Sequence, residues 1–124
     1  MQLDQVRSTG NAIQSYGAEK FVISGQDHPY ALLLTDQFLA PLESAGFEQL
    51  SLAALQPLLD QQPKLEMLII GTGARMQRLP EPLRAALRAR AISADAMDTG
   101  AACRTYTILQ SEGRRVGAVL LLAR

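Results

Sequence analysis

The stretch that decides the fold of this chain reads EMLIIGTG, from Glu66 to Gly73. After Glu66 the run is continuously apolar until Gly71, which is the pattern of a β-strand covered on both faces. We therefore predict that residues 66–70 form a central strand of a sheet. The glycines that follow predict a tight turn at the end of that strand.

Downstream of this strand, helical and strand patterns alternate. Pro82 suits the first turn of a helix, and the apolar side chains of that segment recur at helical spacing: Leu83, Ala86, Leu87 and Ala91. A short strand near residues 91–97 and a last strand at about residues 115–122 follow. The β-α-β-α-β order predicts parallel strands joined by helical crossovers.

The second of these helices has clear end signals. Asp98 or Thr99 can cap its start, it runs to about Ser111, and Gly113 can close it in the left-handed conformation. Upstream, Ser51 can cap a short helix whose apolar face holds Leu52, Leu55, Leu58 and Leu59, and which contains Pro57.

The first part of the chain reads as β-structure. Residues 19–24 and 30–35 flank the turn residues 25–29 and are predicted to form an antiparallel hairpin. This hairpin and residues 47–50 are expected either to add antiparallel strands to the sheet or to form a small second layer. We therefore predict an α/β fold of three layers, with a mixed central sheet, a β-α-β-α-β C-terminal part and an N-terminal antiparallel hairpin. Residues 1–124 are expected to form a single domain, with residues 1–15 a loosely ordered N-terminal segment.

The amino-acid composition argues against several classes of function. Of 124 residues, 48% are hydrophobic and 19% charged, the balance of an ordinary globular domain. Twelve basic and twelve acidic residues cancel, and only 5% are aromatic, so nucleic-acid binding is not expected. One Cys and one His exclude a disulfide framework and leave no usual Cys/His metal site. No cofactor is predicted.

The same sequence predicts a cytoplasmic location. The first residues have no apolar run of the kind found in a secretory signal. The longest apolar stretch, residues 116–123, is shorter than the roughly 18 residues that a membrane span needs, so no membrane insertion is expected.

Two loops are candidates for a ligand crevice at the carboxyl ends of the predicted parallel strands. One holds Gly71, Thr72 and Gly73, and the other holds Thr99, Gly100 and Arg104. Backbone N–H groups at a helix start, threonine hydroxyls and an arginine suit a phosphate or carboxylate. The alternative is that the glycines only turn the chain between strand and helix.

Cys103 falls in the first turn of the predicted last helix. The helix dipole there can lower a thiol pKa, but no histidine base is at hand, and a single cysteine is most often a small buried apolar residue. We assign no catalytic residue.

Three segments in order carry a family resemblance: Leu68–Gly73, Met97–Tyr106, which reads MDTGAACRTY, and Ser111–Arg115, which reads SEGRR before an apolar strand. The chain resembles the small bacterial and archaeal family related to NADH:ubiquinone oxidoreductase complex assembly factor 3 of mitochondria. The resemblance runs from about Glu19 to Leu122. Thr107 stands where the family pattern has Asn.

This resemblance implies a three-layer α/β fold and a non-catalytic role in assembly, with no catalytic residues to carry over. Our leading hypothesis is therefore a non-enzymatic interaction or assembly domain with a protein partner. The alternative is a small-molecule or anion-binding protein, or an enzyme, that uses the two glycine loops.

The candidate partner surface is the arginine-rich segment from Arg75 to Arg90. Five arginines there face one acidic residue, Glu81, and Arg84 and Arg88 lie one helical turn apart. Arginine is favoured at interfaces because its planar group pairs with carboxylates through two hydrogen bonds. A solvated helix face is the other interpretation.

Overall fold

The computed structural model describes residues 10–43 and 46–124. The strands in these ranges are β1 (Ile13–Ser15), β2 (Phe21–Ile23), β3 (Gln26–His28), β4 (Leu32–Leu34), β5 (Leu39–Pro41), β6 (Met67–Gly71), β7 (Ser93–Met97) and β8 (Val116–Leu120). The helices are a 3-10 helix (Phe47–Gln49), α1 (Leu52–Leu59), α2 (Glu81–Ala89) and α3 (Thr99–Ser111).

The central sheet has five strands in the order β5-β4-β8-β6-β7. Strand β6 is parallel to both of its neighbours, with Leu68 opposite Ala94 on β7 and opposite Gly117 on β8. Strand β4 is antiparallel to β8. The prediction of a mixed sheet whose centre includes both β6 and the last strand, β8, as neighbours is confirmed.

Helices cover both faces of this sheet. On one face, α1 and α2 pack through Leu55 and Leu87 against Leu68 and Ile70. On the other face, α3 and β2 pack against alternate residues of the same strands, among them Ile69. The side chains of a strand point alternately to its two faces, so a strand that is apolar at every position must be covered on both faces. The three-layer arrangement is confirmed.

The N-terminal antiparallel hairpin is present, but the pairing predicted between residues 19–24 and 30–35 is wrong. Ser24 and Gly25 have φ angles of 48° and 85°, which makes a two-residue turn of the primed type that favours tight hairpins. The chain therefore reverses earlier than predicted, and β2 pairs with β3, Phe21 opposite His28. Strand β4 joins the central sheet instead.

The first strand of the small sheet, β1, pairs antiparallel with β2. It falls at the end of the segment expected to be loosely ordered, of which residues 1–9 lie outside the described residues.

The helix ends follow the predicted signals. The Ser51 hydroxyl accepts a hydrogen bond from the Ala54 N–H at 3.2 Å, and the Asp98 carboxylate accepts one from the Ala101 N–H at 2.9 Å. Gly113 has a φ of 80°, as expected of a residue that follows a helix.

The predicted strand at residues 47–50 is wrong. The Gln49 N–H donates to the Gly46 carbonyl oxygen and the Leu50 N–H to that of Phe47, both at 3.1 Å, so this segment closes a 3-10 helix. No helix within the described ranges is long and apolar enough to cross a membrane.

Candidate functional site

The two glycine loops are joined to each other through Thr99. The Gly73 N–H donates to the Thr99 hydroxyl oxygen at 2.9 Å, and that hydroxyl donates to the Leu121 carbonyl oxygen at 2.7 Å. The Thr99 N–H in turn donates to the Gly73 carbonyl oxygen at 2.8 Å. The two loops lie side by side because the strands that precede them, β6 and β7, are neighbours, and the Thr99 side chain is buried between the loops.

Thr72 holds the turn that follows β6. Its hydroxyl donates to the Arg75 carbonyl oxygen at 2.6 Å and accepts from the Gln77 N–H at 3.0 Å, while its own N–H donates to the Met97 carbonyl oxygen. Thr72 is 2% exposed. The hydroxyls of Thr72 and Thr99 are therefore both engaged within the protein.

Two of the glycines allow close packing. A Cβ on Gly71 would lie 3.0 Å from the Cα of Thr99 and 3.1 Å from the Cβ of Ala102. A Cβ on Gly100 would lie 2.6 Å from the hydroxyl oxygen of Tyr16. The missing side chains let β6 and Tyr16 approach the first turn of α3.

The six predicted site residues do not line one crevice. Thr72 and Gly73 line a depression of about 400 Å³ at the carboxyl ends of β6 and β8, together with Tyr30 and Leu122. Arg104 is exposed and lines a separate depression, which also contains Ile13, Gln14, Tyr16 and Ile108. Ligand binding by any of the six stays a prediction.

The start of α3 already carries a negative charge. The Asp98 carboxylate caps it through the Ala101 N–H, and a carboxylate at this position interacts favourably with the positive end of the helix dipole. A bound anion would have to share the helix start with this carboxylate.

Cys103 lies on the buried side of α3. Burial raises the pKa of its thiol to about 12, and the nearby positive charge of Arg104 opposes this effect without cancelling it. The thiol is therefore protonated at neutral pH, which fits the small apolar interpretation. Within residues 10–43 and 46–124, no group of three or more His, Cys, Asp or Glu side chains is placed to hold a metal ion.

The predicted partner surface lies beside an edge of the central sheet. Arg84 and Arg88 of α2 line a depression of about 420 Å³ together with residues 91–95, which lead into and form the first part of β7. Arg88 makes an exposed ion pair of 3.6 Å with Glu81. Among the described residues Arg84 makes no ion pair.

Sequence reasoning missed that α2 and an edge strand form one surface. The signal was present in the SADAM sequence of β7, because small residues and one acid are typical of a strand with an exposed side. It also missed the exposed apolar side chains of Tyr16 and Ile108, which share one depression.

Fold and site together define a three-layer α/β domain whose glycine loops are tied by internal hydrogen bonds. The chain belongs to the family described as "Protein of unknown function (DUF498/DUF598)", which it matches over residues 13–121. This confirms the resemblance drawn from the three sequence segments.

Among known relatives, an uncharacterised protein of Rhodobacter capsulatus is 40% identical over 109 residues, covering 88% of this chain and 82% of that protein. The bovine NADH dehydrogenase (ubiquinone) 1 alpha subcomplex assembly factor 3 is 29% identical over 109 residues, covering 88% of this chain. The chain spans 59% of the length of that bovine protein.

Among solved structures, the crystal structure of a Bordetella parapertussis protein is similar, with a TM-score of 0.84 and 30% sequence identity. The similarity covers 92% of this chain and 97% of that one. The fold described above is therefore shared almost over its full length.

Proposed function

We propose that this protein is a non-enzymatic, protein-binding domain that acts in the assembly of an NADH:quinone oxidoreductase. The observation that carries the proposal is the 29% identity with the bovine assembly factor over 88% of this chain. The match covers 109 residues, which are 88% of this chain and 59% of the bovine protein, so the proposal assigns the assembly role to the shared region and not to the further length of the bovine protein.

The geometry supports binding through an outer surface. The hydroxyls of Thr72 and Thr99 are engaged in hydrogen bonds inside the protein, whereas Arg84 and Arg88 are exposed beside a sheet edge. An exposed arginine surface next to few acids suits a partner with carboxylates.

The direct test is affinity capture by the full chain, tagged and expressed in its own host. The proposal predicts that subunits of the NADH:quinone oxidoreductase are enriched with it. The matched control is the variant Arg84→Glu/Arg88→Glu, which should keep its fold and capture less. Enrichment of no subunit of this enzyme would overturn the proposal.

The ligand-binding alternative stays a prediction, and the depression lined by Thr72 and Gly73 is the observation that favours it. A ligand that binds only the folded state raises the unfolding temperature, so a thermal-shift screen of metabolites tests it. The cytoplasmic location also stays a prediction, which cell fractionation tests.

A further inference from the structure

Strand β7 ends the central sheet, and one of its sides has no strand beside it. The Ser93 N–H donates to the Glu66 carbonyl oxygen, and the Met97 carbonyl oxygen accepts from the Thr72 N–H, both on the side of β6. Since backbone groups alternate along a strand, the N–H and C=O groups of Ala94 and Ala96 point away from the sheet. No other strand of the described ranges pairs with this side.

The two arginines of α2 lie beside this open edge, and their separation is close to that of alternate residues in a β-strand. Arg84 and Arg88 are four residues apart on a helix, which separates them by about 6 Å along its axis. Two alternate residues of a β-strand are separated by about 6.7 Å and point to the same face. A strand with carboxylates at two alternate positions thus matches the two guanidinium groups, each of which can pair with a carboxylate through two hydrogen bonds.

We propose that β7 accepts an extended segment of a partner protein as a sixth strand, held by the backbone of Ala94 and Ala96 and by two carboxylates that pair with Arg84 and Arg88. This inference rests on the proposed protein-binding function and names its surface and the chemistry of the partner. The exposed pair between Arg88 and Glu81 is weak, so a partner carboxylate can replace it.

The other face of β7 sets a second requirement on the partner. Ala94 and Ala96 pack on the side of α2, so Asp95 points to the opposite face, where it is exposed. The added strand therefore carries neutral or basic side chains on that face, because an acid there would be repelled by Asp95.

A second copy of the chain fits this edge poorly. Two β7 strands paired antiparallel about a twofold axis would bring their α2 helices together on the same face, so that Arg84 and Arg88 of both copies would face one another. In a register centred on Asp95, the two Asp95 carboxylates would also be opposite each other. Like charges placed this closely are unfavourable, whereas an acidic strand removes the repulsion.

The probe for the test is a synthetic peptide, Thr-Val-Glu-Val-Glu-Val-Thr, blocked at both ends, with Gln in place of both Glu as its matched control. Amide hydrogen exchange of the labelled full chain is followed by NMR. The proposal predicts that the peptide protects the Ala94 and Ala96 amides from exchange. Two further peptides carry N-methyl groups on alternate residues, each on the set of residues that the other leaves unmodified. The proposal predicts that one of them fails to bind, because its methyl groups replace the N–H donors that face β7.

Charge variants test the arginine pairs. Replacing both arginines in Arg84→Gln/Arg88→Gln should weaken peptide binding roughly fivefold and remove the difference between the Glu and Gln peptides. The control variant Arg78→Gln/Arg90→Gln changes two arginines outside the depression and should bind like the original protein.

Three outcomes would overturn the inference. One is no saturable binding at millimolar peptide, and another is binding that leaves the Ala94 and Ala96 amides unprotected. The third is protection of these amides that rises with protein concentration in the absence of peptide, which would identify a second copy as the occupant. The capture experiment tests the proposed function independently. If oxidoreductase subunits are enriched but any of these three outcomes is found, the assembly function is supported and β7 is rejected as the binding edge.

Discussion

Thr99 and Leu121 are linked by a hydrogen bond of 2.7 Å from the threonine hydroxyl to the leucine carbonyl oxygen. The same hydroxyl accepts from the Gly73 N–H. One buried side chain therefore ties the start of α3 to the segments that follow β6 and β8. The network belongs to the framework of the fold, and its loss should be measured first as a loss of stability.

Replacing Thr99→Val should lower the free energy of unfolding by about 2–4 kcal/mol, because it leaves the Gly73 N–H and the Leu121 C=O without their buried partner. Urea denaturation measures this. Thr107→Val is the matched control, since the exposed Thr107 hydroxyl only donates to the carbonyl oxygen of Cys103 in its own helix, and it should change stability by less than about 0.5 kcal/mol. Equal costs for the two variants would contradict the role of Thr99.

Replacing Gly71→Ala should destabilise the protein by about 1–3 kcal/mol, because the new methyl group would lie 3.0 Å from the Cα of Thr99. Gly17→Ala is the control: its Cβ would lie no closer than 3.9 Å to any atom outside its immediate neighbours, at the Lys20 carbonyl oxygen. Thermal unfolding of the two variants compares them. A Gly71→Ala protein as stable as the Gly17→Ala protein would show that β6 and α3 do not need this close approach.

Stability should fall as the pH rises above about 9. Burial raises the pKa of the Cys103 thiol from 9.0 to about 12, and burial together with the charge of Asp36 also raises the pKa of Tyr106. The unfolded chain then releases these protons at a lower pH than the folded chain, so the free energy of unfolding decreases through this range.

The Cys103→Ala variant isolates the thiol contribution, because it keeps the tyrosine and removes the thiol. Its free energy of unfolding should decrease less steeply between about pH 9 and 12 than that of the original protein. Identical slopes in urea titrations across this range would show that the thiol titrates alike in both states.

If the two glycine loops serve only as framework, as the protein-binding proposal implies, millimolar phosphate should leave the amides of Gly73, Gly100 and Ala101 unshifted in NMR spectra. The Thr72 and Thr99 hydroxyls are engaged, and the Asp98 carboxylate already caps α3. Sodium chloride at matched ionic strength is the control for general salt effects. A saturable shift at these amides would instead favour the ligand-binding alternative.

Much of the central sheet was predictable because its signals are local and mutually consistent. The apolar run at Met67–Gly71 needs cover on both faces, and Asp98 and Gly113 mark the ends of α3. The pairing of the N-terminal strands was harder to predict from the sequence. The two-residue turn needs a positive φ at Ser24, and a serine rarely adopts this conformation. The choice of partner strand then depends on tertiary packing that no local pattern contains.

For the candidate site, too, local sequence patterns indicate where the loops lie but not how their side chains are oriented. The residue pattern indicates that the loops of Gly73 and Thr99 both follow parallel strands, but only the structure shows that these strands are neighbours and that the threonine hydroxyls are turned inward. Arg104 has helical spacing from Gly100 but lies on the exposed side of α3, beside Tyr16 and Ile108. That Arg84 lies beside an edge strand could be found only from the order of the strands in the sheet, which places β7 at the edge.

The most direct test of the assembly role is the amount of assembled NADH:quinone oxidoreductase in membranes of the host after deletion of this protein. Native gels stained for NADH oxidation measure it. If the protein acts in assembly, its deletion should cause a several-fold loss of assembled enzyme. The original sequence should restore this amount, and the Arg84→Glu/Arg88→Glu variant should restore less of it. An unchanged amount of assembled enzyme in the deletion strain would contradict the assembly role.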